Sequence, residues 1–162
     1  MTQEEEIQQS LVAKFGYLAD KVKVPRARRI SAEVTAEKFT EVFESLISGF
    51  GFIILCTITG LDDGETIGII YHLARQDGIL LNLKRSVPKT TPVVSTVMKY
   101  FPGSEIYERE LVDMLGVVVE GLPAGPRYPL PDGWPAGQYP LRKDWKAEML
   151  GEFGKKEVNK NG

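Results

Sequence analysis

The chain has 162 residues, 43% of them hydrophobic and 26% charged, with a net charge of −2 at neutral pH. That length and mix suit one soluble globular domain, able to bury roughly two thirds of its unfolded surface without disulfides or metal, and the charge balance argues against general nucleic-acid binding, which needs clustered positive charge. One cysteine, Cys56, and one histidine, His72, exclude an internal disulfide, a cysteine-ligated zinc site and an iron–sulfur cluster held within the chain.

Met1 to Ser10 carries three consecutive glutamates and no apolar core, unlike a secretory signal. The longest apolar stretch, around Phe50 to Ile58, is far short of the about 20 residues a membrane-spanning helix needs. The expectation is a soluble protein whose single thiol suits a reducing cytoplasm.

Thr2 with Glu5 three residues on is a capping-box pattern, and Ile7, Leu11, Val12 and Phe15 share a helical face that stops at Gly16. Lys21 to Val24 alternates polar and apolar as a half-buried strand does, Pro25 ends it, and a short extended piece leads to Thr35. Thr35 is the expected N-cap of the clearest helix, with Phe39, Val42, Phe43, Leu46 and Ile47 on one stripe and Gly49 and Gly51 closing it.

Phe52–Thr59 reads as a buried strand, Thr66–Ala74 as its return and Ile79–Lys84 as a third, joined by turns at Asp62–Glu65 and Gln76–Gly78. These three form an expected antiparallel meander. Thr91-Pro92 is expected to open a helix with Val94, Val97, Met98 and Phe101 on one face. Ser104 is the expected N-cap of the next, Glu105–Leu115, which Gly116 stops, and Val117–Val119 is a short edge strand.

Between Gly121 and Pro140 stand six prolines and four glycines. Proline fixes φ and lacks the N–H, so this segment is neither helix nor central strand. The fold class is α+β, a mostly antiparallel sheet covered by helices on one face, with an extended proline-rich C-terminal arm. The expected division is an α+β domain over 1–120, a docking arm over 121–145 and a mobile polar tail over 146–162.

Few residues point to chemistry. His72 lies in the alternating strand Ile69–Leu73 with no partner nearby in sequence, and reads as a strand histidine that packs or faces solvent rather than a general base. Cys56 reads as a buried structural thiol. Arg26, Arg28 and Arg29 form a small basic patch, read as solvated or interfacial. On helix 105–115, Arg109 and Asp113 are spaced to pair, while Glu110 and Asp113 share a face where two carboxylates could do acid–base work. The structural reading of that face is ion pairing in solvent. Pro140-Leu141-Arg142-Lys143-Asp144-Trp145 joins both charge signs to a large aromatic after a stiff segment, which reads as a docking arm: pre-stiffening lowers the entropy lost on binding, and aromatics and arginine anchor interfaces.

The run Tyr107-Glu108-Arg109-Glu110-Leu111-Val112-Asp113-Met114-Leu115-Gly116, then Glu120-Gly121, then Pro140-Leu141-Arg142-Lys143-Asp144, resembles the 30-kilodalton subunit family of respiratory complex I, the NADH–quinone oxidoreductase, together with related subunits of membrane-bound energy-converting hydrogenases and formate hydrogenlyases. The likeness runs from about Val34 to Trp145 and includes Asp62, Tyr71-His72-Leu73 and Ser86-Val87-Pro88. Leu115 stands where the family has Phe and Leu122 where it has His; the stretch Gly121–Pro129, which lacks the Gly-His-Pro form usual in complex I, leans towards a hydrogenase-like or archaeal-type relative.

The resemblance implies a non-catalytic assembly subunit with no cofactor of its own, on the cytoplasmic side of the cell membrane and attached to it only through its complex. Its partners would be the large hydrogenase-like subunit and a small iron–sulfur subunit that holds the clusters, near the site where electrons reach quinone. Glu108, Arg109, Glu110 and Asp113 would be interface ion-pair residues. Gly116 and Gly121 would permit turns, and Tyr128, Trp134, Tyr139, Leu141, Arg142, Lys143, Asp144 and Trp145 would clamp the large subunit. Loss of the Arg142 side chain would then loosen that contact and spare the chain's own stability. The rival is a stand-alone enzyme using Glu108, Glu110 or Asp113 with His72; a peptide-binding module using an open sheet edge is a third reading.

Overall fold

A computed structural model describes residues 1–151, so the part of the expected 146–162 tail from 152 onward lies outside the described residues. The order is α1 (Gln3–Lys14), β1 (Val22–Arg26), β2 (Arg29–Val34), α2 (Phe39–Ser48), β3 (Ile54–Asp62), β4 (Thr66–Ala74), β5 (Leu80–Pro88), β6 (Val93–Ser95), α3 (Glu105–Leu115) and β7 (Val118–Glu120). The fold is α+β, as expected. The chain forms two compact units, Met1–Thr59 with Gly68–Val87, and Gly60–Ile67 with the chain from Pro88 onward.

In the first unit the capping box at α1 is present: the Glu5 N–H donates to Thr2 Oγ1 and the Thr2 N–H to Glu5 Oε2 at 2.7 Å. Ile7, Leu11 and Phe15 are buried. Helix α2 begins at Phe39, one turn later than the expected Thr35 cap. Residues 36–38 form a turn in which the Lys38 N–H reaches Thr35 O, so Thr35 starts a turn rather than the helix.

Its apolar stripe is as read. Phe39, Phe43 and Tyr71 pack ring against ring, with centroids 4.7–5.5 Å apart. Arg85 is buried here, its guanidinium 3.8 Å from the Phe39 ring centroid and Nη2 donating to Tyr71 Oη at 2.6 Å. The cation over an aromatic face offsets part of its desolvation.

The five-stranded sheet has the order β1-β2-β5-β4-β3. It is mostly antiparallel, but β2 pairs with β5 in parallel, from Arg29↔Leu80 to Val34↔Arg85. A parallel pair needs a crossover, and the segment that begins with α2 supplies it. Strand β3 is therefore an edge strand, not a buried one: Ile53 and Ile54 are exposed, and so is Cys56, contrary to its expected burial.

In the second unit the helix expected from Thr91 is absent. Val93–Ser95 is strand β6, parallel to β7 with Val93↔Val118, Val94↔Val119 and Ser95↔Glu120. Two β-branched residues favour the strand, and the groups that would continue a helix are taken elsewhere, the Val97 N–H by the Glu108 carboxylate. Helix α3 stops at Gly116, whose φ of 69° is left-handed, as expected. Ser104 precedes α3 but its side chain makes no capping bond. Residues 121–140 contain neither helix nor strand, and Ala147–Leu150 forms a single 3-10 turn.

Gly60 lies where a Cβ would overlap the side chains of Leu111 and Leu115. Gly60→Val is expected to cost about 1–3 kcal/mol by overpacking, measured by denaturant unfolding with circular dichroism unchanged at zero denaturant.

Candidate functional site

Helix α3 carries the motif charges, and most of them turn inward. Glu108 is 2% exposed; its Oε2 accepts the Thr96 hydroxyl at 2.6 Å and its Oε1 the Val97 N–H at 2.7 Å. Arg109 does not pair with Asp113. It reaches back one turn to Glu105, with Nη2 at 2.7 Å, and donates to Pro123 O at 2.8 Å; Glu placed N-terminal to the cation is the better order on a helix.

Asp113 is buried and accepts the Leu130 N–H at 3.2 Å. Glu110 is exposed. One is buried and bonded within the chain and the other lies in solvent, so no open carboxylate pair forms there.

The arm closes over the end of the same helix. The Leu141 N–H donates to Met114 O and Arg142 Nε to Leu115 O at 2.7 Å, satisfying carbonyls that a helix C-terminus leaves open. The Arg142 cation also favours that negative end, and it lies 4.8 Å from the Tyr139 ring centroid. Tyr139 packs where a Cβ on Gly116 would stand, so both the close approach and the positive φ require glycine. Gly121 likewise has φ 84°, with Thr96 against it. Trp134 and Trp145 pack with centroids 6.2 Å apart, and their indole N–H groups both bond Gln138.

The remaining anchor is Asp62, at the end of β3. Its side chain is 1% exposed and ion-pairs with Lys89 Nζ at 2.7 Å. It also accepts the Lys143 N–H and the Gly64 N–H, each at 2.8 Å. Lys89 Nζ makes a second pair with Asp144 at 2.8 Å. The Lys89 hydrogen bond, aided by the two backbone donors, overcomes desolvation and pulls the Asp62 carboxyl from 3.8 to about 2. Lys89 is shifted upward by Asp144 and Asp62, and Asp144 downward by Lys89.

The arm leaves several apolar side chains outside, among exposed charged ones such as Arg127, Asp132 and Lys143. Val93 and Val118, directly paired, are exposed, as are Tyr128, Leu141 and Met149. An open groove of about 430 Å³ runs between Val112, Val118, Leu122, Arg127 and Tyr139.

Elsewhere, His72 is held between Asn82 Oδ1 at Nδ1 (2.8 Å) and Thr59 Oγ1 at Nε2 (2.9 Å), a strand histidine with both nitrogens bonded. In the Arg26, Arg28, Arg29 cluster, Arg28 has φ 59° and its N–H is bonded by Glu4 of α1, while Arg29 bonds the Arg28 carbonyl. Among the described residues no group of three or more His, Cys, Asp or Glu is placed to hold a metal, and no helix is long and apolar enough to cross a membrane.

Sequence reasoning misses Lys89 and Thr96, and it takes Asp62 locally as part of a turn. Their partners are far along the chain, and no local spacing marks them. The one available signal is the place of Asp62 in the family order.

The chain matches the model of the family described as "Respiratory-chain NADH dehydrogenase, 30 Kd subunit" over residues 32–149. It is 31% identical over 141 residues to a Methanosarcina mazei protein named as a subunit of F(420)H(2) dehydrogenase, covering 85% of this chain and 89% of that one. It is 37% identical over 100 residues to a Pyrococcus furiosus protein named membrane-bound hydrogenase subunit beta, covering 57% and 58%. Among solved structures it superposes, with a TM-score of 0.81 and 28% identity over 96% of its length and 92% of the other chain, on a chain from the membrane-bound sulfane sulfur reductase, an archaeal respiratory membrane complex.

Two outcomes follow from the bracing. Asp62 is depressed in the folded state, so its stabilisation is complete above its ordinary value of 3.8 and is lost as pH falls towards about 2. Asp62→Asn is expected to lower stability at neutral pH by about 1–3 kcal/mol and to flatten the acid limb of the melting curve against pH. Arg142→Ala is expected to cost about 1–2 kcal/mol in the isolated chain, because the side chain bonds its own helix end; an unchanged melting temperature would mean that bond is not formed.

Proposed function

The chain belongs to the respiratory-chain NADH dehydrogenase 30 kDa subunit family, and from that premise we propose that it is a non-catalytic, cofactor-free assembly subunit in the peripheral arm of a membrane-bound redox complex. It packs on the large hydrogenase-like subunit beside a small iron–sulfur subunit, on the cytoplasmic side of the membrane, near the site where electrons reach quinone. Membrane attachment is indirect, through the complex.

The observation that carries this reading is a proline-rich arm that is fixed by its own chain and yet leaves apolar side chains outside. Residues 121–145 act as a pre-ordered docking arm. Glu108, Arg109, Asp113, Gly116, Gly121, Arg142 and Asp144 shape it from within. Tyr128, Leu141, Glu110 and the Lys143 side chain face outward, all four exposed, with Trp134, Tyr139 and Trp145 forming its aromatic body. An arm ordered before contact loses less entropy on docking. Exposed apolar patches of this kind mark protein contacts.

The stand-alone carboxylate enzyme finds less support. Glu108 and Asp113 are each held by hydrogen bonds within the chain, His72 has both nitrogens bonded, and Glu110 lies in solvent.

A second reading within the same class is the equivalent subunit of an energy-converting hydrogenase or formate hydrogenlyase-type complex. The 37% identity over 100 residues to the Pyrococcus furiosus protein named membrane-bound hydrogenase subunit beta favours it, as does Leu122 in place of the family's His.

Mild-detergent extraction of native membranes, pull-down through this chain and mass spectrometry test the proposal. Recovery of a large hydrogenase-like subunit and an iron–sulfur subunit is expected, and NADH-binding subunits or a nickel centre decide between the two subtypes. Recovery of the chain alone from the soluble fraction would overturn both.

A further inference from the structure

The two edges of the five-stranded sheet are treated differently. On one side, β1 is five residues long, carries Lys23, Pro25 and Arg26, all exposed, and loses register between Lys23 and Arg26. Proline without an N–H, long cations and a bulge are the devices by which folded chains stop an edge from recruiting another strand. On the other side β3, nine residues from Ile54 to Asp62, carries no proline and no lysine or arginine. From Gly49 to Leu61 the sequence has no charged residue and no proline.

Four of its residues are the β-branched Ile54, Thr57, Ile58 and Thr59, which favour a pleated surface. Ile53 and Ile54 are 50% and 44% exposed and Cys56 is exposed as well. A segment this apolar, long and unguarded is an aggregation hazard unless something covers it.

We propose that the N-terminal half of β3, Ile54–Ile58, is a docking edge that takes an extended, uncharged strand from a neighbouring subunit of the same complex. The chemistry of the edge names the occupant. A row of unpaired N–H and C=O groups is satisfied in full only by another extended backbone. Because the edge offers no ion partner over this length, a charged side chain laid against Ile54 or Cys56 would be desolvated without compensation. The paired strand is therefore uncharged where it meets them, with small or aliphatic residues opposite. This rests on the reading of the chain as a complex subunit and adds a second contact, separate in sequence from the arm.

Cys56 is the only cysteine, so thiol labelling reports on this edge alone. The full chain expressed by itself and the complex purified from native membranes would be treated with a maleimide and Cys56 modification followed by mass spectrometry. Labelling is expected to be at least about tenfold slower in the complex. A photoreactive residue at position 53 would identify the occupant, expected to be a segment of another subunit.

Ile54→Lys would place a charge on the edge at an exposed position. It is expected to leave the melting temperature of the isolated chain unchanged and to lose that neighbour, while the large subunit is still recovered through the arm. Equal labelling of Cys56 in chain and complex, a crosslink to a second copy of this chain, or full retention of the neighbour by Ile54→Lys would overturn the docking edge and leave the assembly role standing. Failure to recover any complex would overturn the assembly role, and the docking edge with it.

Discussion

One buried carboxylate holds the second unit in register. Asp62 collects a lysine side chain and two backbone N–H groups, and the lysine passes the charge on to Asp144. Segments remote in sequence, the end of β3, the residue that follows β5 and the Arg-Lys-Asp stretch of the arm, meet at this point. A carboxylate so placed cannot lose its partners without a large loss of stability, because the remaining charge would be buried unpaired. The arm's position is thus tied to a strand end rather than to its own weak local preferences, and the bonds from Leu141 and Arg142 to the end of α3 follow from that placement.

The family motifs are therefore internal bracing. Glu108 fixes the loop after β6, Arg109 holds the start of the proline-rich segment through Pro123, and Arg142 closes the helix. The apolar side chains of Val93, Val118, Tyr128 and Leu141 stand outside, beside the charged ones of Glu110 and Lys143. For a member of a family of accessory subunits of respiratory complexes this division has a physical advantage. The buried charges Glu108 and Asp113 are satisfied within the chain, and the exposed apolar area is the kind whose removal from water is favourable.

The elements that are legible in the sequence are those with local causes. The Thr2–Glu5 box, the Phe39-to-Leu46 stripe and the left-handed Gly116 each act within a few residues, and each is found where its pattern puts it. The misreadings share the opposite cause. Val93 to Phe101 has helical spacing, but Val93 and Val94 pair with β7 and Glu108 takes the Val97 N–H. Cys56 sits in an apolar run that suggests a buried strand, yet burial depends on strand order, and β3 falls at the edge. The internal bonds of the Pro-Leu-Arg-Lys-Asp stretch are not legible either, because Asp62 and Leu115, which bind it, lie far along the chain.

The central claim is that the arm is ordered by its own chain before any partner is present. Hydrogen–deuterium exchange of the isolated full chain tests it directly. The amides of Leu141, Arg142, Lys143 and Trp145 all donate within the chain, so they are expected to exchange slowly in the wild-type protein and fast when Asp62 is replaced by alanine. Exchange at the rate of an unstructured peptide in the wild-type chain would contradict the account.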